Sequence, residues 1–133
     1  MKETYDFLEK AGIFYLSTVD GDLPSCRPFG AIGIYNDKIY IGTNTSKNVS
    51  KQIAINNNVC IVACEGGNWI RTNCELVDDS ISLEAKRAFL AANPTLAKIG
   101  YSSEDDSMQI FYMNNIHATI ADAGGNISSD LNF

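Results

Sequence analysis

Basic residues are scarce in this chain. Ten Lys and Arg stand against 16 Asp and Glu, giving a formal net charge of −6 and a sequence pI near 4.6. That balance argues against nucleic-acid binding, which needs a concentrated excess of cations to neutralise phosphates. The basic residues are also scattered, so none of them builds a polybasic membrane patch. Apolar runs are short, and none approaches the roughly 20 residues of a membrane-spanning helix. The opening MKETYDFLEK alternates charge with apolar groups, unlike a signal peptide, and the expected compartment is the cytoplasm. The four cysteines, Cys26, Cys60, Cys64 and Cys74, lack the CxxC spacing of common zinc sites. Buried free thiols are expected, because Cys60 and Cys64 in one extended run sit roughly 13 Å apart, beyond disulfide reach. The single histidine, His117, makes a poor metal site and reads as a structural or surface residue. Glu104, Asp105 and Asp106 lack the EF-hand pattern and read as a solvated loop. No metal is expected. Nucleophile elbow, Walker loop and HExxH are all missing, as are internal repeats and low-complexity segments.

What is present is ordinary globular material, 45% hydrophobic and 20% charged over 133 residues, enough for one domain over 1–133 with a real core. Glu3 to Ala11 reads as a short amphipathic helix closed by Gly12. Ile13–Val19 reads as a strand, and Asp20-Gly21-Asp22 as a tight turn. A second strand is expected from Leu23 through Tyr35, with Pro28 marking a sheet edge, a bulge or an end. Asn36-Asp37 turns into a third strand, and the three would form an antiparallel meander. Val59–Cys64 is a near-continuous apolar run suited to a strand buried on both faces. Trp69–Val77 follows as a fifth strand. Ser82 is a candidate N-cap for a helix whose face carries Ala85, Ala88, Phe89 and Ala92. Pro94 opens a short helical piece ending near Gly100. A last hairpin is expected through Asn114-Asn115, from Met108–Asn114 to His117–Ala121, before a polar, loosely ordered tail. Six or seven short strands joined by tight turns exclude a parallel sheet and give a small antiparallel barrel with appended helices.

The most informative stretch is Asp37–Ile55, DKIYIGTNTSKNVSKQIAI. Its period of two gives way to a helical period across the polar knot Thr43-Asn44-Thr45-Ser46-Lys47, which describes a strand feeding a helix. Thr45 or Ser46 would be the N-cap. Free backbone amides, hydroxyls and Lys47 then converge where a phosphate is favoured. A well-capped helix with a solvated lysine would read the same way. If the strands pair through Asn36-Asp37, partner numbers sum to about 73, placing Gly30 opposite Thr43 and Arg27 just beyond. A guanidinium there could join Lys47 around one phosphate, although Arg27 could equally be a surface arginine with Pro28 ending a ladder.

The order of helix, strand, DGDLPSCRPFG, strand, DKIYIGTNTSKNVSKQI and apolar strand resembles the pyridoxamine 5′-phosphate oxidase-like flavoproteins. It is closest to their short members, which include nitroimidazole-resistance and general-stress proteins. The likeness covers about Tyr5 to Ala123, and its most specific parts are the Arg27-Pro28 pair and the Thr-x-x-Ser-Lys helix entry. The resemblance implies a mainly β fold with appended helices (α+β), a six- to seven-stranded antiparallel split β-barrel of the FMN-binding type. It also implies a homodimer with FMN in a groove between subunits. Arg27, Ser46 and Lys47 would hold the FMN phosphate with Thr43 and Asn44 beside it, and Lys51 is a further phosphate candidate. Pro28, Phe29 and Gly30 would face the flavin ring, and Trp69 and Arg71 would approach from the partner. True pyridoxamine-phosphate oxidases carry an arginine-rich C-terminal segment, whereas this chain has no arginine after Arg87. The implied activity is therefore a small FMN-dependent reductase or oxidase of another substrate, with a donor such as NAD(P)H. A flavin, deazaflavin or haem module without turnover, or a dimeric scaffold with an empty groove, are the alternatives.

Overall fold

The computed structural model describes residues 1–133. Eight strands form one antiparallel sheet with four helices around it. The order along the sheet is β2 (Leu23–Phe29), β1 (Phe14–Asp20), β5 (Asn58–Glu65), β6 (Asn68–Asp78), β7 (Met108–Asp122), β4 (Lys38–Asn44) and β3 (Ile32–Tyr35). The last strand, β8 (Ile127–Asn132), adds to β7. Helices α1 (Lys2–Ala11), α2 (Asn48–Ile55), α3 (Leu83–Ala92) and α4 (Pro94–Lys98) complete the fold.

The expected single strand from Leu23 to Tyr35 is two strands, and the expected meander does not form. β2 pairs only with β1, while β3 pairs only with β4. Both prolines of β2, Pro24 and Pro28, therefore sit on an edge strand, where a missing ladder donor costs nothing. β2 and β3 stand at opposite ends of the hydrogen-bonded order yet are separated in sequence only by Gly30 and Ala31. The sheet must curl to bring its two ends together there without a ladder between them, which is a split barrel. The β3–β4 register has Tyr35 opposite Lys38 and Ile32 opposite Ile41, as the sequence predicts. Asn36 and Asp37 both adopt positive φ, 51° and 57°, the twist that a two-residue hairpin requires.

A 19-residue core, including Phe14, Leu16, Ile41, Ile61, Ile70 and Ile120, fills the concave side, with Leu8 of α1 and Val49 and Ile53 of α2 entering from the helices. Four further expectations are corrected. β5 buries only Val59, Ile61 and Ala63, so its apolar run is one-sided, and Val62 remains 37% exposed. The Asn114-Asn115 pair makes no hairpin: β7 runs on for 15 residues past a register shift against β6 between Asn73 and Glu75. Asn115, at φ 48°, takes up the extra residue of this bulge. The phase of alternation thereby slips by one, so that Phe111 and Met113 before it and Ile116, Ala118 and Ile120 after it all face the same core. The tail is ordered as β8, with Phe133 and Ile116 exchanging backbone hydrogen bonds of 2.7 and 2.9 Å. All four cysteines are free, but only Cys74 is buried; Cys26 and Cys64 are exposed.

On the convex side, α3 lies over β3. Its Ala85 and Phe89 form a second small core with Tyr40, Met108 and Ile110. Ser82 caps α3 by accepting from the Ala85 amide at 3.1 Å. Gly42 exists for this contact, since a Cβ there would lie 2.8 Å from the Phe89 ring.

Candidate functional site: a cationic cavity where the sheet ends meet

Where β2, β3, β4 and the start of α2 converge, a cavity of about 460 Å³ opens. One wall is Arg27, Pro28, Phe29, Gly30 and Ala31, and another is Gly42, Thr43, Asn44, Lys47 and Val49. The third comes from the α3–α4 region: Phe89, Asn93, Thr95, Leu96, Ile99 and Tyr101, with Met108 of β7. Two cations and no carboxylate line it, in a chain whose net charge is −6.

Of the predicted residues, Arg27, Pro28, Phe29, Gly30, Thr43, Asn44 and Lys47 are brought together here, while Ser46 and Lys51 do not line the cavity. Neither Thr45 nor Ser46 caps α2. The N-cap is Lys47, with extended backbone (φ −84°, ψ 151°) and no side-chain cap hydrogen bond. Asn44 is responsible, because its Oδ1 accepts from both the backbone N–H (2.9 Å) and the hydroxyl (2.8 Å) of Ser46. This local side-chain turn outcompetes the cap. It leaves the first amides of α2 without side-chain acceptors, at the positive end of the helix dipole. Lys47 is exposed and enters none of the three ion pairs in the structure.

The Arg27 guanidinium is held firmly. Nη1 donates to the Leu16 carbonyl at 3.2 Å and to Thr18 Oγ1 at 2.8 Å. Nη2 donates to Ser25 Oγ at 2.7 Å and to Gln52 Oε1 at 2.8 Å. Thr18 in turn donates to the same Gln52 oxygen at 2.5 Å. Desolvation lowers the Arg27 pKa, yet a guanidinium stays charged throughout the working range.

The α3–α4 wall escaped the sequence reading. Asn93 Nδ2 donates to the Ile32 and Phe89 carbonyls, both at 2.9 Å, tying the end of α3 to the start of β3. Asn44 Nδ2 donates to the Tyr101 hydroxyl at 3.2 Å. Asp105 fixes the loop behind Tyr101: its Oδ1 accepts from the Ser107 amide (2.9 Å) and hydroxyl (2.6 Å), and the Ser107 hydroxyl hydrogen bond leads the causes that lower its pKa. The Ser107 carbonyl accepts from Thr45 N–H at 2.9 Å. The local signals here, Ser82 and the Ala85–Phe89 face for α3 and Pro94 for α4, announced the helices but not their place against the cavity.

Residues outside the cavity have simpler roles. His117 Nε2 pairs with Asp130 at 2.6 Å on the surface. Trp69 donates to the Asp122 carbonyl at 3.1 Å, and Arg71 stacks over its ring at 5.5 Å.

The profile of the pyridoxamine 5′-phosphate oxidase family matches residues 1–112. The chain belongs to that family. Its fold is shared with a NimC/NimA family protein of Clostridium acetobutylicum, at 36% identity over 100% of this chain and 91% of the other, with a TM-score of 0.89. General stress protein 26 of Bacillus anthracis is similar in fold at 20% identity, 99% and 98% coverage and a TM-score of 0.71. A pyridoxamine 5′-phosphate oxidase-related, FMN-binding protein of Nostoc punctiforme is more distant, at 11% identity, 98% and 91% coverage and a TM-score of 0.62. No curated protein matches the chain. No helix of this family member is long and apolar enough to cross a membrane.

The cavity has the character of an anionic cofactor site. Its volume of about 460 Å³ falls in the roughly 300–1,000 Å³ range of such pockets. Its polar end offers Lys47 and an uncapped helix N-terminus, while Pro28, Phe29, Gly30, Leu96 and Ile99 offer apolar contact. A phosphorylated flavin fits this division.

Proposed function

We propose that the chain is a cytoplasmic FMN-binding oxidoreductase acting on a small molecule other than a phosphorylated pyridoxamine. The observation that carries this is a carboxylate-free cavity lined by the cations Arg27 and Lys47, with Lys47 at the start of α2, and by the backbone of the β2–β3 junction. Lys47 and the first amides of α2 would hold the phosphate, and Arg27, its Nη groups committed to protein acceptors, would add its positive charge. Pro28, Phe29 and Gly30 would face the flavin ring, with Thr43 and Asn44 beside the phosphate. Ser46 acts indirectly, by keeping Asn44 in its turn, and Lys51 adds positive potential from the exposed side of α2. When bound, FMN supplies reversible one- and two-electron chemistry. The protein orients it and excludes water, and hydride transfer asks no side-chain base of the cavity.

A second copy completes the site in this reading. Pro28 at the cavity rim continues through cross-strand neighbours Tyr15, Val62 and Arg71 on the convex face. Tyr15 there is 51% exposed. A two-fold partner seated on that face would cover it and bring its own Trp69 and Arg71 near the groove.

The deciding experiment is to identify the chromophore released from purified protein on mild denaturation. FMN is expected, with bleaching by NADH or NADPH and recovery with a nitroaromatic acceptor. Deazaflavin or haem, or a colourless protein that FMN cannot reconstitute, would refute the cofactor assignment. FMN that no reductant bleaches would leave a carrier or sensor.

A further inference from the structure

A half-buried guanidinium normally finds a carboxylate, because an uncompensated charge away from water is costly. Arg27 has none. Its four terminal N–H bonds end on a carbonyl, two hydroxyls and an amide oxygen. Sixteen acidic residues are available in the chain, yet Arg27 enters no ion pair, and Asp20 acts on it only from beyond ion-pair distance. Gln52 is the telling residue. Its Oε1 receives both Arg27 and Thr18, a geometry that a glutamate would satisfy equally well while cancelling the charge. With both Nη groups committed, the group is immobilised and only Nε–H remains undirected.

We propose that Thr18, Ser25 and Gln52 form a deliberately uncharged cradle for Arg27, and that its neutrality is what makes the cavity select a phosphorylated flavin over the unphosphorylated one. The proposal rests on the reading that the cavity binds FMN phosphate. Gln52 and its companions are positioning residues: they orient the guanidinium and leave its full charge to the ligand. A carboxylate in the cradle would place a negative charge against a phosphate dianion in a partly desolvated site, where such repulsion is weakly screened.

The test measures Kd for FMN and riboflavin, by flavin fluorescence quenching, on the full chain with and without substitutions. Gln52→Glu is expected to weaken FMN at least about tenfold while leaving riboflavin within about twofold. Gln52→Met, neutral and of similar length, should weaken FMN less than about fivefold, separating lost charge from lost anchoring. Ser25→Asp introduces the carboxylate from the edge strand instead, and is expected to reproduce the Glu variant even if that one folds poorly. FMN affinity unchanged in Gln52→Glu or in Ser25→Asp overturns the proposal, as does equal loss in the Glu and Met variants. Arg27→Ala in the same assay tests the underlying reading. If it loses FMN selectively while the carboxylate variants do not, the cavity reading stands and the cradle falls. If the unsubstituted chain binds FMN no better than riboflavin, the reading itself fails.

Discussion

The convex face of the sheet is treated in two ways. Over β3, β4 and β7 it is roofed by α3, which packs Ala85 and Phe89 onto Tyr40, Met108 and Ile110. Over β1 and β5 it is bare, and Tyr15, Val19 and Val62 stand 51%, 39% and 37% exposed. The side chains on the two halves are comparably apolar, so hydrophobicity alone does not explain why one has a roof. The difference is that the longest connection, from β6 to β7, carries α3 over the first half, whereas the other helical connection, from β4 to β5, packs α2 into the main core and leaves the outside of the second half uncovered. An apolar sheet face left without its own helix suits an intermolecular contact. The cavity lies at the boundary of the two halves, one wall taken from the roof and its rim running onto the bare face.

The roofed half should break hardest. Phe89→Ala removes the ring that both seats α3 and lines the cavity; a loss of about 3–5 kcal/mol is expected in denaturant unfolding. Gly42→Ala attacks the same contact from below, driving a methyl against a buried ring 2.8 Å away. An overpacking cost of about 1–3 kcal/mol should follow, and Phe89→Leu should relieve part of it, a non-additivity expected of touching residues. On the bare half, Tyr15→Asp should change the stability of the isolated subunit by no more than about 0.5 kcal/mol. Light scattering at micromolar concentration should nonetheless find this variant monomeric and the unsubstituted chain dimeric. A dimer indifferent to this charge would locate the partner elsewhere.

The mildest test uses the cysteines. Burial pushes the Cys74 thiol up to about 12 from an ordinary 9.0, whereas Cys64 projects from the bare face. Alkylation of the Tyr15→Asp monomer at pH 8 should label Cys64 and spare Cys74. The folded state prefers the neutral Cys74 thiol, so its contribution is complete below pH 9 and is lost as pH rises toward 12. Cys74→Ala should flatten that alkaline slope.

Local chemistry carried much of this fold into the sequence. Asn36-Asp37 announced a hairpin and its register, Ser82 and Pro94 announced helix starts, and Arg27 and Lys47 could be brought to one place by counting from a turn. What stayed hidden depended on competition or distance. The Asn44 turn defeated the Ser46 cap because a side chain two residues away offered a better acceptor. Asn114-Asn115 reads as a turn in isolation, and only the need to keep both halves of β7 facing one core makes it a bulge. The α3–α4 wall is set by Phe89 meeting Gly42, positions 47 residues apart whose fit has no local signature.

The two-residue passage from β2 to β3 bears on how the protein comes apart. The passage holds β2 and β3 together along the chain at every stage, but the cavity beside it is walled also by β4, the start of α2 and the α3–α4 region, so it is complete only once these distant elements have docked. A ligand held there recognises nothing in partly assembled chains. At a hundredfold excess over Kd it adds about 2.7 kcal/mol to global stability. Since that interaction is missing from the barrier to folding, the gain is expressed as slower unfolding, with the rate of folding left unchanged.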